Sequence, residues 1–405
     1  MRRGEEIVTS VPLTAGLGVR RGVVLVLAVA GSITVSNIYF PQPLLEAVAR
    51  GMRVSEATAG LVATAGQVGY ALGISLLVPL ADGRNLRRLT TVLLALTAGA
   101  LLAGALAPSL AVLTIATAAA STTTVLPQII LPAAATMAGS AGRGRVVASV
   151  GIGLTLGSTL SRTLSGAVAD LSGSWRASYV LAAVLTAALI FVLPRHMPTA
   201  DDRVRVSYRK LLASMPGLLH THRELRLSAF LGAATYAVFA AFWATLPFHL
   251  AHPPFDKGAG WAGLFGLLSL PAAILSYSAG KLSDAFGTTR VNALAVAGLG
   301  LALAVFATLG TTSVVALVVG ANLLVYGTSC AQIANQARIF RLDEAVRARL
   351  NTLYMLFAFS GGAVGSLVGV RLYNAGGWTW TVLGCAAFLT AAGARLALHS
   401  RATRP

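Results

Sequence analysis

Apolar residues in this chain come in twelve long runs separated by short polar stretches, six before a polar interval at Arg195–Arg226 and six after it. The runs are Gly22–Leu45, Ala57–Ala81, Leu89–Ala107, Ala111–Met137, Val146–Leu171 and Ala177–Leu193, then Leu227–Leu250, Trp261–Leu282, Val291–Leu309, Val314–Ala334, Leu350–Leu372 and Trp378–Leu398. Each is near the roughly 20 residues that a helix needs to cross a hydrocarbon core. Backbone in lipid must satisfy its own hydrogen bonds, as a helix or a closed barrel, and these runs are too long for barrel strands of about 9–11 residues. The pattern therefore predicts an all-α membrane protein with about twelve transmembrane helices in two six-helix bundles. Arg20-Arg21 before an apolar stretch and Ala28-Val29-Ala30 imitate a secretory signal with its cleavage site. The apolar run continues well past Ala30, so it is read as an uncleaved first span.

Composition agrees: 56% of residues are hydrophobic, 11% are charged, and mean hydropathy is +0.76, which excludes a water-soluble chain. The net charge of +18 and pI near 11.2 would suggest nucleic acid if the basic residues formed one patch. They lie instead at the ends of apolar runs. With the amino terminus assigned to the cytoplasm, 25 of the 31 Lys and Arg fall on that side, leaving Arg50, Arg53, Arg176, Lys257 and Arg371 outside and Arg162 within a span. This asymmetry predicts a multi-pass protein of the inner (plasma) membrane with both termini cytoplasmic, and it assigns the basic charge to anionic lipid headgroups. Cys330 and Cys385 sit in separate apolar runs, without the paired spacing of a disulfide framework or zinc site.

The interval Arg195–Arg226 divides the chain into an amino-terminal half (1–194), a cytoplasmic linker (195–226) and a carboxyl-terminal half (227–405). Tyr208, Leu211, Leu212, Met215, Leu218 and Leu219 among basic residues suit an amphipathic linker segment on the membrane surface, bent at Pro216. The halves repeat. Gly157, Ser161 and Ser165 recur as Gly361, Gly365 and Gly369 at a constant offset of 204, Arg143-Gly144-Arg145 aligns with Arg347-Ala348-Arg349 at the same offset, and Asp82 and Asp284 end corresponding spans. Duplicated halves point to a central path between them.

The loop Pro79-Leu80-Ala81-Asp82-Gly83-Arg84-Asn85-Leu86-Arg87-Arg88 resembles the loop-two signature of the major facilitator superfamily, and Gly280-Lys281-Leu282-Ser283-Asp284-Ala285-Phe286-Gly287 resembles its second-half counterpart. The second copy keeps the Gly-x-x-x-Asp-x-x-Gly spacing; in the first, Val78 replaces the leading glycine and the basic pair is shifted. Asn37 to Leu45, Gln67-Val68-Gly69-Tyr70, Arg143-Gly144-Arg145 and Gly173-Ser174-Trp175-Arg176 look like the bacterial efflux branch that includes arabinose-efflux-type permeases and drug:proton antiporters. The resemblance implies alternating access between two halves, export of a small organic solute, and exchange for protons. The span-five glycine region resembles that of antiporter branches but lacks its proline, since Ser158 and Thr159 follow Gly157.

Asp82 and Asp284 stand at helix carboxyl ends, where the macrodipole disfavours a carboxylate by ~0.3–1 kcal/mol, so each needs a partner. Arg84, Arg87 and Arg88 offer one, as do helix amino termini of the opposite half, near Leu350 for Asp82 and near Val146 for Asp284. These loops with Gly287, and the small-residue stripes led by Gly157 and Gly361, are the expected conformational gate, with plain turns and static packing as the alternatives. Arg162 lies about 25 Å along its helix from the basic end. A charge so deep marks a functional site by default. It is expected to meet an anionic or carbonyl-bearing solute group, to pair with Asp170, Glu46 or Glu56, or to snorkel outward. Asn37, Tyr39, Gln67, Gln128, Tyr236, Tyr326 and Gln332 complete the expected solute site, because polar groups at these depths require partners. No Asp or Glu occupies a span centre, so a proton carrier is sought at Glu46, Glu56, Asp170 or a histidine near an outer end. His249 and His252 lack a third ligand in the sequence nearby, and no metal or cofactor is expected. The sequence has no Walker A loop, His-Glu-x-x-His or nucleophile elbow. A monomeric secondary transporter of a small solute, not an enzyme, is the leading expectation. Uptake or facilitated transport of a small organic anion and a non-transporting membrane receptor or sensor are the alternatives.

Overall fold

The computed structural model describes residues 21–82, 84–198, 208–276, 278–343 and 346–402. Arg20 and Gly83, named above, lie outside them, as do Arg2, Arg3, Arg203, Arg205 and Arg404 among the basic residues counted on the cytoplasmic side, and of Asp82 only the backbone is described. Ten segments are long and apolar enough to cross a membrane: Arg21–Met52, Glu56–Ala81, Leu86–Ala105, Leu110–Met137, Trp175–His196, Arg223–Ala251, Ala259–Phe286, Thr288–Thr311, Val314–Ile339 and Arg347–Ala402. Two further facts bring the number to twelve. The 34-residue helix Gly139–Ser172 is the fifth span, and Arg347–Ala402 breaks at Gly376–Gly377 into spans eleven and twelve. The protein is all-α, with no strand among the described residues.

Local chemistry fixes where spans begin and end. Asn85, Ser109, Ser174 and Ser313 each place a side-chain oxygen on a free backbone N–H at the start of a span. Span five ends on Gly173 at φ +67°, and span eleven gives way to span twelve at Gly377 with φ +70°. That left-handed backbone favours glycine. Gly377 follows Gly173 by 204 residues, the offset already read from the stripes, so the turn itself is duplicated. Beyond each turn a tryptophan begins the next span: Trp175 packs against Gly51, and Trp378 donates its indole N–H to the Phe306 carbonyl at 3.0 Å.

Within the first half, span one packs on spans five and six, span two on span four, and span three on spans four and six; within the second, span seven packs on spans ten and eleven and span nine on spans ten and twelve. The stripes serve these internal contacts. A Cβ at Gly157 would overlap Ser32 of span one, and one at Gly361 or Gly365 would overlap the Ala233 or Ala237 backbone of span seven. Ser165 donates to the Phe40 carbonyl at 2.6 Å. In this conformation Gly157 and Gly361 therefore hold helices together inside each half, the static packing that the sequence left open as the alternative.

The halves meet elsewhere, where span five crosses span eight and span two crosses span eleven. Gly166 lies against the Ala259 carbonyl, Gly263 against that of Arg162 and Gly266 against that of Thr159, so the two backbones nearly touch. Thr163 donates to the Gly263 carbonyl at 2.9 Å. At the second crossing the hydroxyls of Thr64 and Ser366 bond at 2.8 Å, and Gly60 abuts Val370. The linker helix Tyr208–Thr221 runs through Pro216 without ending and buries Met215 in a core cluster drawn from both halves, with Leu218 and Leu219 packed alongside.

Gly263→Val should lower stability by about 1–3 kcal/mol, because a side chain at the crossing must force two helices apart. Gly99→Ala, on a surface with nothing within 4 Å, should cost nothing and gain up to about 1 kcal/mol of helix propensity. Thermal unfolding of the purified variants checks both.

Candidate functional site

Between the halves lies a cavity of about 270 Å³. Spans one, two, four and five contribute Tyr39, Tyr70, Gln128, Thr155, Ser158, Thr159 and Arg162 to its wall; spans seven, eight, ten and eleven contribute Tyr236, Phe239, Trp243, Ser269, Ser276, Thr328, Ser329, Gln332 and Phe359. Arg162 is the one charged residue among those that line it.

Arg162 is 4% exposed and held from several directions. Its Nε donates to Gln42 Oε1 at 2.7 Å and its Nη1 to the Ser158 carbonyl at 2.6 Å, while Nη2 makes no hydrogen bond. The guanidinium lies 4.0 Å from the Trp243 ring centre, 4.5 Å from that of Tyr39 and 5.7 Å from that of Phe239. Each such contact contributes ~0.5–2 kcal/mol when desolvated. The aromatic wall continues as Tyr39 Oη meets Tyr236 Oη at 3.1 Å, Tyr236 stacks on Phe239 and sets its edge against Phe359, and Tyr70 packs on Phe359 from the other half. Gln128 donates to Tyr70 Oη at 3.4 Å.

The geometry gathers Arg162, Gln128, Tyr39, Tyr236 and Gln332 at one cavity and sets three expected residues elsewhere. Asn37 points away from it and donates to Thr124 and Thr186 hydroxyls at 3.2 and 3.1 Å, joining spans one, four and six. Gln67 is buried at the crossing of spans two and eleven, beside Gly362. Tyr326 turns to Ser278, Oη to Oγ at 3.3 Å. A polar residue inside a span can satisfy either a cavity or a neighbouring helix, and sequence depth alone does not distinguish the two. Gln42 was absent from the expected site although it holds Arg162. It lies in the short 3-10 helix Gln42–Leu44, which reads as loop chemistry in the sequence.

The ion pairs expected for Arg162 are also replaced. Asp170 Oδ2 accepts the Gly260 backbone N–H at 2.9 Å, Glu46 meets Arg50 at 2.5 Å, and Glu56 faces His252 at 3.6 Å. His249 bonds the Gly310 carbonyl at 3.0 Å and stacks on Trp378, so the two histidines face different ways. The contacts of Asp170 and Glu56 both cross between halves, at the arginine-poor end of the bundle, where Gln42–Leu44 also packs on spans seven and eight. That end is closed. A recess of about 150 Å³ lies towards the arginine-rich end, lined by Val78, Pro79, Pro132, Met215 and Arg349, and it shares Gln128 with the central cavity.

Among the described residues, the expected gate loops make few cross-half contacts here. Asp284 is 80% exposed and meets Arg341 of its own half at 3.5 Å, not the helix start near Val146. Arg84 and Arg88 are exposed, and Arg87 donates to the Met197 carbonyl at 3.1 Å. Gly287 has φ +81° and precedes span nine, which accounts for its glycine in the loop pattern. Sequence reasoning also left Arg338 at the solvent edge, whereas it is 6% exposed beside Glu224 at 3.3 Å, and Glu224 meets His399 at 3.4 Å.

Comparison with known proteins agrees with this architecture. The sequence profile of the Major Facilitator Superfamily matches residues 24–342. The chain is 36% identical over 361 residues to the uncharacterized transporter YgaY of Escherichia coli O157:H7, covering 89% of this chain and 91% of that protein. It is 32% identical over 370 residues to the probable transporter SCO4007 of Streptomyces coelicolor, covering 88% and 85%. Among solved structures, the nucleoside transporter NupG superposes with a TM-score of 0.75 at 15% identity, over 93% of this chain and 99% of that one, a likeness of fold.

Asn37→Ala should destabilise the protein by about 1–3 kcal/mol, since it removes the amide donor that the buried Thr186 hydroxyl accepts from and one of the two hydrogen bonds of the Thr124 hydroxyl, which keeps the Thr34 carbonyl at 2.7 Å. Tyr326→Phe, which removes one long hydrogen bond of a half-buried residue, should stay within about 0.5–1.5 kcal/mol. Calorimetric or fluorescence-detected unfolding distinguishes the two.

Proposed function

The chain belongs to the Major Facilitator Superfamily, and from that premise we propose that it exports a small organic solute by alternating access, in exchange for protons. The observation that carries the reading is the cavity itself: both halves line it, one end of the path is closed by contacts between halves, and a recess leads from it towards the other end. Rocking one half against the other about the glycine-lined crossings would expose the same residues alternately to each side. The residues that recognise the solute in this reading are Arg162, Gln128, Tyr39, Tyr236 and Gln332. The moving units are 1–194 and 227–405, tied by 195–226, with the arginine-rich face and both termini in the cytoplasm of a bacterial inner membrane.

Proton exchange is assigned to the closed end. Asp170 accepts the Gly260 N–H as a carboxylate at the first turn of Ala259–Leu268, where negative charge is favoured. Protonation removes that charge and weakens the hydrogen bond. Glu56 contributes a second carboxylate across the same seam, opposite His252, with the Glu46–Arg50 pair nearby. Protons arriving from the outer side would therefore loosen the closure and let solute leave, which is the sign antiport requires.

Asp170→Asn mimics the protonated acid with little change of shape. In reconstituted vesicles it should leave downhill solute movement largely intact and reduce proton-driven accumulation about tenfold or more. Spin labels at Arg53 and Lys257 should report a longer distance than in the unsubstituted protein at the same pH. Unchanged distance and unchanged proton coupling would remove Asp170 from the mechanism.

A further inference from the structure

Arg162 narrows the class of solute. A guanidinium buried to 4% exposure inside a membrane-spanning helix carries a full charge that a medium of low dielectric penalises heavily unless an anion compensates it. None does so here. No Asp or Glu lines the cavity, and the three carboxylates expected beside Arg162 are engaged by Gly260, Arg50 and His252. Trp243 and Tyr39 cover the guanidinium with their electron-rich faces, a partial compensation that leaves the net charge in place.

The donor inventory is equally restrictive. Arginine presents five N–H groups. Nε is committed to Gln42 and one N–H of Nη1 to the Ser158 carbonyl, which leaves the second N–H of Nη1 and both of Nη2, and Nη2 is the nitrogen that is buried with no partner at the wall of the cavity. A side-on pair through Nε and one Nη, the usual fork for a carboxylate, is blocked by Gln42. What remains is one positive charge and one free nitrogen.

Resting on the transport reading, we propose that the solute is a small monoanion, with one anionic oxygen on Arg162 Nη2 and an apolar or aromatic body against Tyr39, Tyr236, Phe239 and Trp243. A cationic solute would add a second uncompensated charge, and a neutral one would leave the first in place. A dianion would bring an excess negative charge for which the lining has no second cation. The cavity, at about 270 Å³, lies just below the ~300–1,000 Å³ range usual for drug-sized ligands, so the body is compact.

The test uses the full-length purified protein and triples of probe that share a body and carry an anionic, neutral or cationic head group: benzoate, benzamide and benzylamine; hexanoate, hexanamide and hexylamine; with terephthalate as the dianion. Binding is read by calorimetry and by thermal stabilisation. In at least one triple the carboxylate should bind about tenfold or more tighter than its amide and amine, the yield expected of one charge-assisted hydrogen bond. Terephthalate should bind more weakly than benzoate, and Arg162→Gln should erase the preference for the carboxylate. The proposal is overturned if in every triple an amide or amine matches its carboxylate, if the dianion binds best, or if no carboxylate binds below about 10 mM. The comparison within the unsubstituted protein stands even if Arg162→Gln does not fold. Flux in proteoliposomes keeps the two readings apart: a carboxylate that binds without moving defeats transport but leaves the anion site, and a neutral solute that is carried defeats the anion site but leaves transport.

Discussion

A guanidinium deep in a helical bundle has to be held, shielded and at some point neutralised, and much of the central architecture can be traced from how Arg162 is treated. Span five carries it, the Ser158 carbonyl one turn earlier takes one donor, and the short helix Gln42–Leu44 folds in to take another. Trp243 reaches from the opposite half to cover its face at 4.0 Å. One side chain thus engages both halves, so any motion that separates them there changes the environment of the charge. This couples occupancy of the cavity to the arrangement of the halves through a local electrostatic contact, without a long pathway.

Close approach of helices makes that contact geometrically attainable. Lipid offers little hydrophobic drive for helices to associate, so packing relies on small residues that let backbones meet. The chain uses them in two distinct ways. Gly157, Gly361 and Gly365 lock spans one to five and seven to eleven inside the halves, whereas Gly166, Gly263 and Gly266 bring spans five and eight together across the seam. The second set flanks Arg162 in space. Its polar punctuation is sparse: Thr163 on the Gly263 carbonyl and Asp170 on the Gly260 N–H, contacts of a kind that can be made and broken.

The fold was legible because its signals are one-dimensional. Run length gave the spans, and the constant 204-residue offset gave the duplication, which Gly173 and Gly377 repeat as a positive-φ glycine at each turn. The depth of Arg162 identified the cavity wall for the same reason: a charge in a long apolar run is conspicuous. What the sequence did not disclose is azimuth, the direction each residue faces around its helix. Asn37 and Tyr39 are two residues apart and were expected together, yet one turns inward to Thr124 and Thr186 and the other to the cavity. The same blindness left open which neighbour the Gly157 stripe meets and overlooked Gly166, which packs against the Ala259 carbonyl of the other half. Arg338 was missed because its partner Glu224 is more than a hundred residues away and looks like an ordinary helix-start acid.

The central claim is that the charge of Arg162 has no anion in the empty cavity. Replacing Gln42, whose Oε1 lies 2.7 Å from Arg162 Nε, by glutamate supplies one in place with almost no change of volume. Comparing the thermal stability of Gln42→Glu with that of the unsubstituted protein in the absence of solute therefore tests the claim directly. The account predicts a clear gain, of the order of 1.5–3 kcal/mol for a charged hydrogen bond that replaces a neutral acceptor. Equal or lower stability for Gln42→Glu would mean that the guanidinium is already compensated and would contradict the account.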